Sequence, residues 1–149
     1  MRFPIKELTI LTALALAAPA AFAGGHGGDG DAAKGEKTFK KCKACHQVGE
    51  GAKSKSGPVL NNLFGRAAGS VEGFKYSKSM IAAGEAGLVW DAALIQEFIE
   101  DPNAFLKEYL DDGKAKSKMT LKLKKDADRA NVVAYLATFS EMPEAESAD

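Results

Sequence analysis

Cysteine, histidine and tryptophan are scarce in this chain: two, two and one among 149 residues. A structural zinc site needs four Cys or His ligands. Here that would take every one of them, including His26 in a glycine-rich stretch, so such a site is excluded. Long apolar runs are also missing. The apolar segment at 8–17 is about ten residues, half of what a membrane-spanning helix requires. No stretch alternates convincingly enough for a strand, and no internal repeat is present. Formal net charge is zero, which gives no broad basic footprint for nucleic acid.

What is present begins with a processing signal. Arg2 and Lys6 form a positive start, 8–17 is apolar, and Ala21-Phe22-Ala23 is an A-x-A-like cleavage site. The expectation is a signal peptide at 1–23 and a flexible Gly-rich tail at 24–30. One domain at 31–140 and an acidic tail at 141–149 complete the division. The neutral total hides an asymmetry: residues 113–125 carry six lysines and no acid, whereas 85–112 carry eight acids and one lysine. The chain is therefore expected to be dipolar.

Both cysteines fall in one pentapeptide, Cys42-Lys43-Ala44-Cys45-His46. C-x-x-C-H is the attachment signature of c-type haem. Thiols three positions apart on a helical turn can each add to one vinyl group of the same porphyrin. The following His46 then takes an axial position on iron. A disulfide between Cys42 and Cys45 would close a tiny loop and leave His46 unexplained. A thioredoxin-like pair would need a βαβ setting, and the flanks read as lysine-rich helix.

The pattern predicts an all-α chain of short helices. Asp31 caps a helix to about 42, with Ala32, Phe39 and Cys42 on one face. Gly35 lies on that helix at a cost of about 1 kcal/mol relative to Ala, which points to close approach by another helix. Pro58 ends the polar loop that follows, and 61–69 holds at most one short helical turn. Helices are expected at 77–83 and at 92–100. The second is capped by Asp91, with Leu94, Ile95, Phe98 and Ile99 inward. Pro102 stops it, and another helix runs from Asn103 to Leu110. Residues 112–124 lack a helical period and form a loop. The last helix spans 125–140 with Val132, Val133, Leu136 and Phe139 inward.

A second axial ligand would come from Met80, Met119 or Met142. Met80 lies on an amphipathic helix and reads as packing, and Met142 lies in the acidic tail. Met119 sits on a non-helical loop able to bring sulfur to iron. His/Met ligation raises the reduction potential and fills both axial positions, as suits an electron carrier. The rival is a haem enzyme or gas sensor with an open sixth position and a merely structural Met119.

The chain resembles a soluble class I cytochrome c, of the long bacterial cytochrome c2 type. The resemblance is carried by Gly35, Phe39, Cys42-Lys43-Ala44-Cys45-His46, Gly57-Pro58-Val59-Leu60, Gly65-Arg66, Gly73-Phe74-Lys75-Tyr76, Trp90, Lys118-Met119 and Ala134-Tyr135-Leu136. Extra residues before Trp90 and Met119 point to the long form. The resemblance implies the class I cytochrome c fold: small helices around one haem c, attached through Cys42 and Cys45 and ligated by His46 and Met119. It implies that the carbonyl of Pro58 orients His46, and that Arg66, Tyr76, Trp90 and Ser117 surround the haem propionates. It places Gly35 and Phe39 where the first helix crosses the last, near Tyr135 and Leu136. One departure stands out: Phe98 occupies a position often held by tyrosine, so a hydroxyl close to the ligand sulfur is missing.

The resemblance also implies a monomeric periplasmic electron carrier rather than an enzyme. It would pass one electron from a membrane cytochrome bc complex to a photosynthetic reaction centre or terminal oxidase, with no nucleic-acid partner. Ten lysines (40, 41, 43, 53, 55, 114, 116, 118, 122 and 124) flank the ligand-bearing segments and form the expected docking ring.

Cleavage after Ala23 would leave Gly24-Gly25-His26 at the new N-terminus. One amine, two deprotonated amides and one imidazole supply the four planar nitrogens that suit Cu(II) or Ni(II). Mass spectrometry of the mature terminus is expected to give Gly24, and Cu(II) titration to show uptake lost in His26→Ala. Another start, or equal copper uptake by both proteins, would remove this site.

Overall fold

The computed structural model describes residues 29–141. The expected leader, most of the Gly-rich tail including His26, and the acidic tail from Met142 lie outside the described residues. Five helices follow one another: α1 (Ala32–Phe39), α2 (Lys78–Glu85), α3 (Ala92–Glu100), α4 (Pro102–Tyr109) and α5 (Asp126–Ala137). Among the described residues the only strand-like pairing is one antiparallel bridge, Ala67 to Val89. The all-α expectation holds.

The first four helices start where a side chain satisfies one of their first free amides. Asp31 accepts from Lys34 N–H, Ser77 from Met80, Asp91 from Leu94 and Asp101 from Ala104, at 2.8–3.2 Å. α5 has no side-chain cap, but Asp126 and Asp128 stand in its first turn, where negative charge is favoured. Several boundaries differ from expectation: α1 ends at Phe39 rather than near 42, and α2 runs on to Glu85 rather than stopping at 83. Pro102 is the first residue of α4 rather than a mere stop, because its missing N–H costs nothing there. Asp101 therefore ends α3 and begins α4. α5 stops at Ala137, so Phe139 lies beyond it and is only half-buried.

α1 and α5 cross in backbone contact. A Cβ on Gly35 would fall 1.9 Å from the carbonyl oxygen of Asn131 and 2.8 Å from Cβ of Tyr135. The pair is tied by Asp31 N–H donating to Asn131 Oδ1 at 2.7 Å, and by Phe39 packing on the Tyr135 ring with centroids 5.3 Å apart. The core continues through Leu106, Val132, Val133 and Leu136, all buried. Arg129 is buried too. It donates to the carbonyls of Leu123 and Lys124 at 3.0 and 2.8 Å and pairs with Asp126 and Glu100, so its charge is compensated.

The contact at Gly35 is backbone against backbone and cannot yield by a rotamer change. Gly35→Ala is expected to cost about 3 kcal/mol, the upper end of overpacking penalties. At Gly73 an added methyl meets nothing within 4 Å, so Ala costs only the positive-φ strain of about 1–2 kcal/mol. Guanidinium unfolding of the two haem-loaded variants checks the difference.

Candidate functional site

Past α1 the chain keeps winding in the same sense. Cys42 and Lys43 amides donate to the Phe39 carbonyl at 2.8 and 3.2 Å, and Cys45 and His46 amides donate to that of Cys42 at 3.0 and 2.9 Å. This turn brings Cys42, Cys45 and His46 onto the wall of one cavity of about 220 Å³. Both thiols are free, so the disulfide alternative is not what the structure contains. Burial pushes the Cys42 thiol up to about 11, unlike the acidic thiol of a redox-active pair.

His46 is held from two directions. Its Nδ1 lies 2.8 Å from the carbonyl oxygen of Pro58. A carbonyl only accepts, so Nδ1 carries the proton and Nε2 is the free nitrogen. Gly57 lies against the ring: a Cβ there would come within 2.5 Å of Cε1 and 2.8 Å of Nε2. The Gly57 amide is anchored to the Cys45 carbonyl at 2.9 Å. Burial lowers the basicity of His46; the Pro58 hydrogen bond opposes this and the charge of Arg66 adds to it. A neutral imidazole is the metal-binding form.

Pro58, Arg66, Tyr76, Trp90, Ser117 and Met119 all line the same cavity. Two backbone hydrogen bonds near the isolated bridge bring Arg66 and Trp90 together: Trp90 N–H to the Arg66 carbonyl at 3.0 Å, and Gly65 N–H to the Trp90 carbonyl at 2.8 Å. Nη1 of Arg66 donates to the carbonyls of Val59 and Asn61, which spends one end of the guanidinium and leaves the rest. Tyr76 accepts from Val71 N–H and Ser117 Oγ accepts from Met119 N–H, so both hydroxyl protons remain to be given. Burial raises the Tyr76 phenol and lowers the Arg66 guanidinium, which stays charged nonetheless. Between them these residues supply donors suited to carboxylates at the edge of an otherwise apolar space.

Two methionines reach the cavity. Met119 is half-buried on its loop; Met80 is buried on α2. The burial of Met80 agrees with packing, but its place on the wall was not legible from the helix pattern. Phe98 also lines the space and packs at an angle against Trp90 and edge-to-face against Phe105, ring centroids 5.1 and 5.6 Å away, so aromatic packing occupies the position where a hydroxyl is missing. Gly57 entered the sequence reading only within the resemblance motif, Asn103, which accepts from Ser117 N–H at 2.8 Å, only as a helix start, and Arg129 not at all. The contacts of Gly57 with His46 and of Asn103 with Ser117 span 11 and 14 residues, and that of Arg129 with Glu100 joins two helices, so their roles at the site depend on tertiary placement. Among the described residues no three His, Cys, Asp or Glu cluster to hold a bare metal ion, and no helix is long and apolar enough to cross a membrane.

Two thiols at helical spacing, a tautomer-fixed imidazole and soft sulfur around an apolar cavity fit a covalently bound haem. The comparisons agree. The cytochrome c family model matches residues 32–140. Cytochrome c2 iso-1 of Rhodospirillum centenum is 50% identical over 112 residues, 71% of this chain and 93% of the relative. Cytochrome c2 of Cereibacter sphaeroides is 40% identical over 96% of this chain and all of its own length. The solved structure of cytochrome c2 from Rhodospirillum centenum superposes with a TM-score of 0.73 at 47% identity, covering 75% of this chain and 100% of that one. The chain therefore belongs to the cytochrome c family, as an electron carrier of the cytochrome c2 type with one haem c attached through Cys42 and Cys45.

Proposed function

We propose that the protein is a periplasmic shuttle whose haem is ligated by His46 and Met119, and that it carries single electrons from a membrane cytochrome bc complex to a reaction centre or terminal oxidase. The observation that carries this is the convergence of Cys42, Cys45, His46 and Met119 on one apolar cavity, with His46 oriented by Pro58. When bound, haem c supplies a one-electron ferric/ferrous couple. The protein's part is to keep the coordination constant and the site dry. Pro58 and Gly57 fix the imidazole plane, Ser117 ties the Met119 amide, and Phe98, Trp90 and Leu136 exclude water. Arg66, Tyr76, Trp90 and Ser117 are the donors for the propionates. A soft donor at the cavity supports a filled sixth position, and hence a carrier rather than an enzyme or gas sensor.

Docking is electrostatic in this reading. All ten lysines of the expected ring are exposed, and Lys41 and Lys118 stand on the cavity wall itself. An acidic partner face would meet the protein there, as a monomer. The leader at 1–23 delivers it to the periplasm.

Met119→Ala is expected to abolish the methionine-to-iron charge-transfer band of the oxidised protein, lower the potential and open the site to added ligands. Met80→Leu, which removes sulfur but keeps volume, is expected to leave the band intact. A band lost in the second variant and kept in the first would transfer the ligand role to Met80.

Association is expected to slow steeply with ionic strength from about 10⁸–10⁹ M⁻¹s⁻¹ at low salt. Lys43→Glu or Lys118→Glu should cut the on-rate more than Lys34→Glu. Lys34 lies further along α1 and is already 3.6 Å from Asp31. A stopped-flow rate indifferent to salt would remove the lysine face from the docking model.

A further inference from the structure

Between α4 and α5 the chain has no regular structure, so the loop carrying Met119 must be held by contacts from elsewhere. Several come from one place, the α3–α4 junction. On the far side of Met119, Leu123 N–H donates to the Ile99 carbonyl at 2.8 Å, and Lys122 Nζ lies 2.6 Å from the Asp101 carboxylate. On the near side, Asn103 Oδ1 accepts from Ser117 N–H at 2.8 Å, and Ser117 Oγ in turn accepts from Met119 N–H at 3.0 Å. Phe98 offers no hydroxyl with which to share this work. The junction therefore grips the loop on both sides of Met119.

We propose that Asn103 is a positioning residue for Met119, with Asp101 a weaker, salt-sensitive second hold; this rests on Met119 being the second axial ligand. Asn103 acts through Ser117. Losing its oxygen removes the partner of a half-buried amide and frees the hydroxyl that fixes Met119. A net hydrogen bond of this kind changes an opening equilibrium roughly three- to tenfold. The Asp101 pair is different. Lys122 has 45% of its side chain exposed and Asp101 23%, so solvent screens the attraction and salt weakens it further. Its expected effect is about threefold or less at low salt.

Imidazole, which competes with the methionine for iron, reads the opening directly. The oxidised holoprotein is titrated with imidazole while the charge-transfer band is followed. Asn103→Ala should bind imidazole three- to tenfold more tightly, and Asn103→Asp, which keeps an oxygen acceptor, should return to the wild-type affinity. Asp101→Asn keeps a capping side chain but loses the ion pair; its smaller shift should vanish in 1 M salt. Asp91→Ala removes a comparable helix cap, 2.8 Å from Leu94 N–H, without touching the loop, and should lower the unfolding midpoint while leaving imidazole affinity unchanged. If Asn103→Ala matches wild type, or Asp91→Ala shifts the affinity equally, the positioning role is overturned. If Met119→Ala keeps the charge-transfer band, the ligand reading itself falls, which separates that failure from the first.

Discussion

The close crossing of α1 and α5 at Gly35 is the constraint on which the site depends. Two backbones meet with no room for a methyl group, and this fixes the direction in which α1 delivers the chain to Cys42. The neighbouring stripe of α5, one residue on from the Asn131 and Tyr135 that meet Gly35, carries Val132 and Leu136 to the cavity wall. Haem attachment and helix packing are thus one arrangement. Interiors are close-packed, so a shift at the crossing is transmitted to the turn rather than absorbed.

The site divides its work between rigid and irregular backbone. Cys42, Cys45 and His46 lie on a continuous helical winding, where spacing is set by hydrogen bonds to the preceding turn. Met119 lies on a loop whose geometry is borrowed from the α3–α4 junction and from Arg129, which caps the Leu123 and Lys124 carbonyls. In the proposed ligation, Met119 on this borrowed framework would be the adjustable half of the coordination sphere. The imidazole half, locked between Gly57 and the Pro58 carbonyl, is not.

Charge follows the same division. The lysine-rich segment belongs to the Met119 loop, and its acids have been displaced to α3, α4 and the turn after α4. Asp101 is the exception, lying close enough to pair with Lys122 and Lys124. That places one acid at the edge of an otherwise basic surface, where it serves the loop.

The sequence alone determined the attachment chemistry, because Cys42, Cys45 and His46 act through spacing along one helical turn, a local property. It determined helix starts for the same reason: a capping Asp or Ser reaches only the next three residues. Gly35 was legible as a site of close approach because glycine is costly in a helix without a reason. Only the tertiary structure decided that Met80 reaches the cavity alongside Met119, and that Gly57 lies against the imidazole. Asn103 and Arg129 gained their roles in the same way. Ser117, the partner of Asn103, lies 14 residues away, and Glu100, one partner of Arg129, lies on α3 rather than α5. Such contacts leave no periodic mark on the chain, since they depend on where whole helices come to rest.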